Sequence, residues 1–172
     1  MKIIIVNGFG GCGKDTFKDF FIDYAKGKGK VAIKTSIIDG VKILAEKLGW
    51  DGGKTDKDRR FLSDLKDALE RWKDLPYTYL NETIEEANKQ NVDYLFIDLR
   101  EGKDIDRIKR SFNGEVITIL IDREINHAYN NHADDNVLDY TYDWVIDNNQ
   151  TLEELKTGAE TFYNEIREKH ND

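Results

Sequence analysis

Short apolar runs alternate with amphipathic stretches along the whole chain. The runs are rich in β-branched and aromatic residues, which predicts strands at residues 2–7, 30–38, 92–99, 115–121 and 144–146. Apolar positions at helical spacing predict helices at residues 14–26, 39–48, 56–72, 77–90 and 103–112, and a last helix that Thr151 opens with a capping box to Glu154. Asp56 is the expected cap of the third helix.

The alternation itself predicts the fold class. The strands are too apolar to have one face in water, and helical segments separate them, so they are expected to form a parallel sheet covered on both faces. Right-handed crossovers then give a doubly wound α/β architecture. The length of 172 residues predicts a single domain over residues 1–172.

Composition narrows the possible partners. Twenty-six Lys and Arg against 34 Asp and Glu give a net charge of −8, which argues against stable binding to nucleic acid. No apolar stretch is long enough for a membrane span, and the first residues are too short for a signal peptide. The single cysteine, Cys12, leaves no internal disulfide and fits a reducing compartment, so we expect a cytoplasmic protein.

The most informative motif follows the first predicted strand directly and opens the first predicted helix. Gly8, Gly13 and Lys14 have the G-x-x-x-x-G-K spacing of a P-loop, the Walker A motif. Glycines let backbone N–H groups close around phosphate oxygens, the helix N-terminus adds positive charge, and Lys14 supplies a cation for the β- and γ-phosphates. The motif therefore predicts nucleotide binding by Gly8, Gly10, Gly11, Cys12, Gly13, Lys14, Asp15 and Thr16.

One position departs from the general P-loop pattern. The residue after the lysine is usually Ser or Thr, but here it is Asp15, with Thr16 one position later. A carboxylate among phosphates is unfavourable unless a cation or a proton offsets it. Asp15 would hold Mg²⁺ through water or orient the acceptor, and Thr16 would still supply a hydroxyl ligand.

The Gly-Lys-Asp-Thr sequence at residues 13–16 resembles phage and bacterial deoxynucleoside monophosphate kinases. More broadly, the chain is similar in element order and length to the nucleoside monophosphate kinase group of P-loop proteins. The resemblance implies a three-layer P-loop NTPase fold whose five-stranded parallel sheet has the order 2-3-1-4-5. It also implies ATP and Mg²⁺ as cofactors.

The resemblance further implies an acceptor-binding segment at about residues 36–75. Lys42 and Arg60 would contact an acceptor phosphate, and Asp39 its sugar or base. A solvated helix face is the alternative role for Arg60. Asp98 and Arg100 follow the third strand, at the edge where parallel sheets bind ligands. Asp98 resembles a Walker B carboxylate that reaches Mg²⁺, with a helix or turn cap as the alternative, and Arg100 would hold the acceptor phosphate.

By the same resemblance, Arg123 begins a short lid at about residues 124–140 and contacts the adenine or the transferring phosphates, which makes it a catalytic candidate with Lys14 and Asp15. Residues 126–136 contain no Lys or Arg, so the arginines that such lids often supply would come from elsewhere, for example Arg107 or Arg110. The loop that contains Asn148 would pass the adenine ring.

Together these features predict ATP-dependent phosphoryl transfer to a nucleoside or deoxynucleoside monophosphate. One alternative is a P-loop kinase for another small phosphorylated acceptor, such as phosphomevalonate or dephospho-CoA. Another is a nucleotide-binding module with little transferase activity. Nucleotides are the expected partners, and the resemblance leaves a homodimer open.

Overall fold

The structure, a computed structural model, describes residues 1–124 and 137–168. Its strands are Lys2–Asn7 (β1), Ala32–Ser36 (β2), Tyr94–Asp98 (β3), Val116–Asp122 (β4) and Trp144–Asp147 (β5). Its helices are Lys14–Gly27 (α1), Asp39–Lys47 (α2), Asp56–Lys73 (α3), Leu75–Lys89 (α4), Gly102–Ser111 (α5) and Leu152–Glu168 (α6). A short 3₁₀ helix spans Val137–Asp139.

The five strands form one sheet in the order β2-β3-β1-β4-β5, which confirms the predicted order. The pairings of β1 with β3, β1 with β4, and β4 with β5 are parallel. Val6 lies in register with Asp98, so the end of β3 adjoins the residues that lead from β1 into the glycine-rich loop. The topology therefore brings the loop and the predicted Walker B carboxylate to one edge of the sheet.

The chain divides into two compact units, Met1–Lys34 with Asn91–Asp172, and Thr35–Gln90. The first unit contains the main hydrophobic core, in which α1 and α6 pack against the sheet. Phe21 lies at its centre, with edge-on ring contacts to Phe96, Tyr94 and Tyr163. These buried rings fix α1 on the sheet and so fix the loop that precedes it.

The second unit is helical, with α2, α3 and α4 packed on one another. The prediction that Asp56 caps α3 is wrong, because Asp56 is the first residue of the helix. Thr55 is the N-cap, since its backbone is extended and its hydroxyl accepts a hydrogen bond from the Asp58 N–H, while the Asp58 carboxylate accepts one from the Thr55 N–H. Although its apolar spacing predicted the helix, α3 has no buried residue, and Trp72 is 68% exposed.

Most of the predicted lid, residues 125–136, lies outside the described residues. No helix within residues 1–124 and 137–168 has the length and apolar character that crossing a membrane requires. The single domain over residues 1–172 stays a prediction.

Candidate active site

The loop between β1 and α1 has the backbone conformation that its glycines predict. Gly8, Gly11 and Gly13 have φ angles of +142°, +80° and +100°, a region that favours glycine. A β-carbon at Gly8 would lie 2.6 Å from the backbone oxygen of Ile121. Two constraints therefore require glycine at Gly8: its backbone angle and the close approach of β4.

Lys14 is the first residue of α1, and its side chain turns back over the loop. Its Nζ donates hydrogen bonds to the backbone oxygens of Gly8 at 2.7 Å and Phe9 at 2.8 Å. The ammonium thus lies against the loop, and the N-terminus of α1 comes directly after this loop in the chain. A loop, a helix N-terminus and a lysine in this order form an anion-binding arrangement.

Asn7 anchors the start of the loop. Its Oδ1 accepts a hydrogen bond from the Gly8 N–H at 2.8 Å, and its Nδ2 donates to the Arg100 backbone oxygen at 3.0 Å and to the Tyr142 hydroxyl at 2.7 Å. The Tyr142 hydroxyl in turn donates to the Val137 backbone oxygen at 2.8 Å. Burial raises the pKa of Tyr142 to about 12, so this hydroxyl keeps its proton and the chain of hydrogen bonds stays intact at neutral pH.

Asn148 holds the other end of the loop. Its Nδ2 donates to the Cys12 backbone oxygen at 2.7 Å, and its N–H donates to the Asp122 backbone oxygen at 2.7 Å. The buried Asn148 therefore ties the loop to the ends of β4 and β5. Cys12 is itself buried, and burial raises the pKa of its thiol, although the nearby Lys14 opposes the shift. The thiol is thus protonated at neutral pH, which does not suit a nucleophile.

A second lysine, Lys18, lies one turn further along α1 and contacts two of the three predicted metal ligands, Asp15 and Asp98. Its Nζ is 2.5 Å from Asp98 Oδ2 and 2.9 Å from Asp15 Oδ1, and its side chain is 1% exposed. Burial alone would lower the pKa of Lys18, but the two carboxylates outweigh burial and raise it above its ordinary value. The hydrogen bond from Lys18 lowers the pKa of Asp15. We call Lys18, Asp15 and Asp98 the Lys18 cluster.

The donor set at Asp98 fits a hard divalent cation. Asp98 Oδ1 is buried and has no hydrogen-bond partner among the described residues, while Oδ2 is held by Lys18. Carboxylate oxygens are the ligands that Mg²⁺ uses in proteins. No group of three or more His, Cys, Asp and Glu side chains within the described ranges has the arrangement of a metal site. A cation at Asp98 would therefore complete its coordination with water and phosphate oxygens, as Mg²⁺ commonly does.

The predicted acceptor-site residues lie in different parts of the chain. Asp39 and Lys42 belong to the helical unit and form an ion pair at 2.9 Å, and Asp39 also accepts a hydrogen bond from the Ser36 N–H at 2.7 Å. Arg60 is exposed on α3. Arg100 belongs to the sheet unit, where its backbone contacts Asn7. The roles of these residues with an acceptor stay predictions.

The remaining predicted residues lie around the loop. Gly10, Gly11 and Asp15 are exposed, and Thr16 is half-buried on the first turn of α1. Arg123 is exposed directly after β4, beside Glu124, whose N–H donates to Asn149 Oδ1 at 2.7 Å. Arg123 is thus close in sequence to the lid boundary, and its catalytic role stays a prediction.

Sequence reasoning missed Lys18, Tyr142 and the anchoring role of Asn7. The spacing of three between Asp15 and Lys18 is a signal that the sequence does contain, because residues three apart adjoin on a helix. Tyr142 carries no such signal, since its contact with Asn7 spans 135 positions.

Comparison with known proteins supports the fold. No protein-family model matches the chain, and no curated protein matches it in sequence. Among solved structures, a protein assigned as a kinase from Chloroflexus aurantiacus matches with a TM-score of 0.53 at 12% identity, covering 97% of each chain.

Two further solved structures are similar at lower scores. APS kinase from Mycobacterium tuberculosis has a TM-score of 0.48 at 12% identity, covering 96% of this chain and 97% of that one. A sugar kinase from a Janibacter species has a TM-score of 0.48 at 17% identity, covering 95% of each. The strand order, the glycine-rich loop and the Chloroflexus structure together show that this chain has the α/β fold of P-loop kinases.

Proposed function

We propose that this protein is a P-loop phosphotransferase that moves the γ-phosphoryl group of ATP to a nucleoside or deoxynucleoside monophosphate. An oxygen of the acceptor phosphate would attack the γ-phosphorus, the bond to the β–γ bridging oxygen would break, and ADP and a nucleoside diphosphate would leave. Such a transfer depends on positioning and on neutralising charge more than on a general base.

The observation that carries the proposal is the position of Lys14. Its Nζ lies within 2.8 Å of two backbone oxygens of a loop that precedes a helix N-terminus and in which three glycines, Gly8, Gly11 and Gly13, have positive φ angles. A polyphosphate on this loop would meet backbone N–H groups, the helix dipole and one ammonium at once. We infer that ATP binds through the loop residues Gly8, Gly10, Gly11, Cys12, Gly13, Lys14, Asp15 and Thr16.

Mg²⁺ is the metal that the carboxylates favour. Asp98 would hold it through the free Oδ1, with Asp15 and Thr16 as the other predicted ligands. When bound, Mg²⁺ neutralises charge on the β- and γ-phosphate oxygens. Asn7 and Asn148 would keep the loop in shape while the phosphates bind, because each is hydrogen-bonded to one end of it.

The monophosphate acceptor is the finer part of the proposal, and it depends on the resemblance carried by residues 13–16. We propose that Arg100 and Lys42 contact the acceptor phosphate, together with Arg60, and that Asp39 contacts the sugar or base. Arg123 would act on the transferring phosphates. Each arginine or lysine offers charge-assisted hydrogen bonds to phosphate oxygens.

The test is ADP release from ATP and Mg²⁺ with each nucleoside and deoxynucleoside monophosphate added in turn. We expect one acceptor to raise the rate far above background, and Lys14→Ala to lower that rate about 100-fold or more. Lys26→Ala is the matched control, since Lys26 is exposed near the end of the same helix. Its rate should equal that of the unmodified protein.

The same panel separates the alternatives. If phosphomevalonate or dephospho-CoA stimulates ADP release and no nucleoside monophosphate does, the proposed acceptor is wrong but the protein is still a phosphotransferase. Tight ATP binding without release for any acceptor would instead favour a nucleotide-binding module. Absence of both binding and release would contradict the proposal altogether.

A further inference from the structure

The Lys18 cluster joins the first turns of α1, directly after the P-loop, to the end of β3. Asp15 is the second residue of α1, and Asp98 is the last residue of β3, in register with Val6 of β1. Both carboxylates are therefore near the loop that we propose binds polyphosphate. Two negative charges at this position would repel the phosphates unless a cation offset them.

The structure supplies that cation from within the chain. Lys18 Nζ contacts one oxygen of each carboxylate, at 2.5 and 2.9 Å, and its side chain is almost fully buried. Burial of an ammonium without partners would be costly, but here both carboxylates keep it charged. The ammonium bridges a P-loop residue and a β3 residue, which are the two segments that a metal ion bridges in P-loop proteins.

We propose that Lys18 is a resident counter-cation of the phosphate site, which offsets one of the two negative charges of Asp15 and Asp98 so that a polyphosphate binds the loop without a divalent cation on these carboxylates. The inference rests on the proposed nucleotide binding at the loop. Lys18 acts through the two carboxylates and makes no contact with the ligand, so it is a positioning residue. The free Oδ1 of Asp98 leaves Mg²⁺ a place beside the ammonium.

The inference predicts a particular dependence of nucleotide affinity on Mg²⁺. With Lys18 present, removal of Mg²⁺ should weaken binding of ADP by about tenfold or less, because one of the two carboxylate charges is already compensated. Without Lys18, two uncompensated carboxylates should weaken binding about 30-fold in chelator, and Mg²⁺ should restore most of the loss.

The test is calorimetric titration with ADP, in chelator and in Mg²⁺, of the unmodified protein, Lys18→Gln and the control Lys26→Gln. We expect the loss of ADP affinity of about 30-fold only for Lys18→Gln and only in chelator. An equal loss in both conditions would overturn the inference, since it would indicate a structural role alone. No loss in either condition would overturn it as well.

A charge-balanced double variant keeps the inference testable if Lys18→Gln does not fold. Lys18→Gln with Asp98→Asn removes one positive and one negative charge and leaves no unpaired buried charge at the pair. Its ADP affinity in chelator should return to within about threefold of the unmodified protein, because the net charge is unchanged. If the double variant binds ADP in chelator about 30-fold more weakly than the unmodified protein does, the counter-cation role is contradicted.

The same titrations separate failure of the inference from failure of the proposed function. If the unmodified protein binds ADP in neither condition, nucleotide binding at the loop is wrong and the inference falls with it. If it binds ADP but needs Mg²⁺ as much as Lys18→Gln does, only the inference is wrong.

Discussion

Removing Lys18 should destabilise the protein strongly, and removing Asp98 with it should restore much of the loss. Lys18→Gln leaves Asp98 without its partner, and Asp98→Asn leaves a buried ammonium with only the exposed Asp15. Breaking a buried ion pair by deleting one member costs about 3–5 kcal/mol. The Asp98 side chain is 30% exposed, so water can partly solvate it, and we expect the low end, about 3 kcal/mol.

Unfolding by urea and by heat, each followed by circular dichroism, measures this cost. For a chain of this length, about 3 kcal/mol corresponds to a drop in Tm of about 6–12 °C. The double variant Lys18→Gln with Asp98→Asn should lose about 1.5 kcal/mol or less, half of the loss of Lys18→Gln alone, since no unpaired charge stays buried. Lys26→Gln, exposed on the same helix, should stay within about 0.5 kcal/mol of the unmodified protein.

Two results would refute this reasoning. The first is a loss below about 1 kcal/mol for Lys18→Gln, the range of an exposed ion pair. The second is additivity of the two single substitutions, because independent sites add and coupled sites do not.

Three further predictions concern other parts of the sheet unit. Gly13→Ala should lower both stability and ADP affinity, because its φ of +100° is unfavourable for alanine and the new β-carbon would collide with a neighbouring side-chain amide. Gly11→Ala has a φ of +80° but open space around the new β-carbon, so it should lose less stability and less ADP affinity. Equal losses for the two variants would contradict the steric argument. Burial opposes ionisation of Asp143, but the hydrogen bonds that it accepts from Thr118 lower the pKa of this carboxyl overall. The ionised Asp143 therefore stabilises the fold at a pH above the pKa of an unfolded Asp, and this stabilisation is lost as the pH falls through the lower pKa of the folded state. Acid unfolding of Asp143→Asn should therefore show a smaller loss of stability between about pH 6 and pH 3 than the unmodified protein. The Cys12 thiol, buried and with a raised pKa, should react with a thiol reagent at neutral pH only in denaturant, and fast labelling of the folded protein would show the loop to be more open.

The fold was largely predictable because its signals are local. Apolar runs and helical spacing predicted the five strands and six α-helices of the described residues, and the capping box of Thr151 with Glu154 is present as predicted. The strand order came from the resemblance to P-loop kinases and is confirmed. The cap of α3 was misassigned by one residue, because Thr and Asp are both good caps and only the extended backbone of Thr55 decides between them.

The candidate site was predictable only where it is contiguous in sequence. Gly8, Gly13 and Lys14 lie within one loop, so their spacing alone indicated phosphate binding. The pairing of Lys18 with Asp98 joins residues 80 positions apart and depends on the register of β1 against β3. No sequence pattern specifies such a pair, although Asp15 after Lys14 did indicate that a compensating cation was needed.

Phosphoryl transfer to a monophosphate is measured without ambiguity by following the label from ATP carrying a radioactive γ-phosphate, in Mg²⁺, with the panel of nucleoside and deoxynucleoside monophosphates. We expect the label to move to one or a few acceptors, which become labelled diphosphates, and we expect Lys14→Ala to abolish the transfer while Lys26→Ala does not. Label that stays in ATP, or appears only as inorganic phosphate at a rate that no acceptor changes, would contradict the proposed transfer.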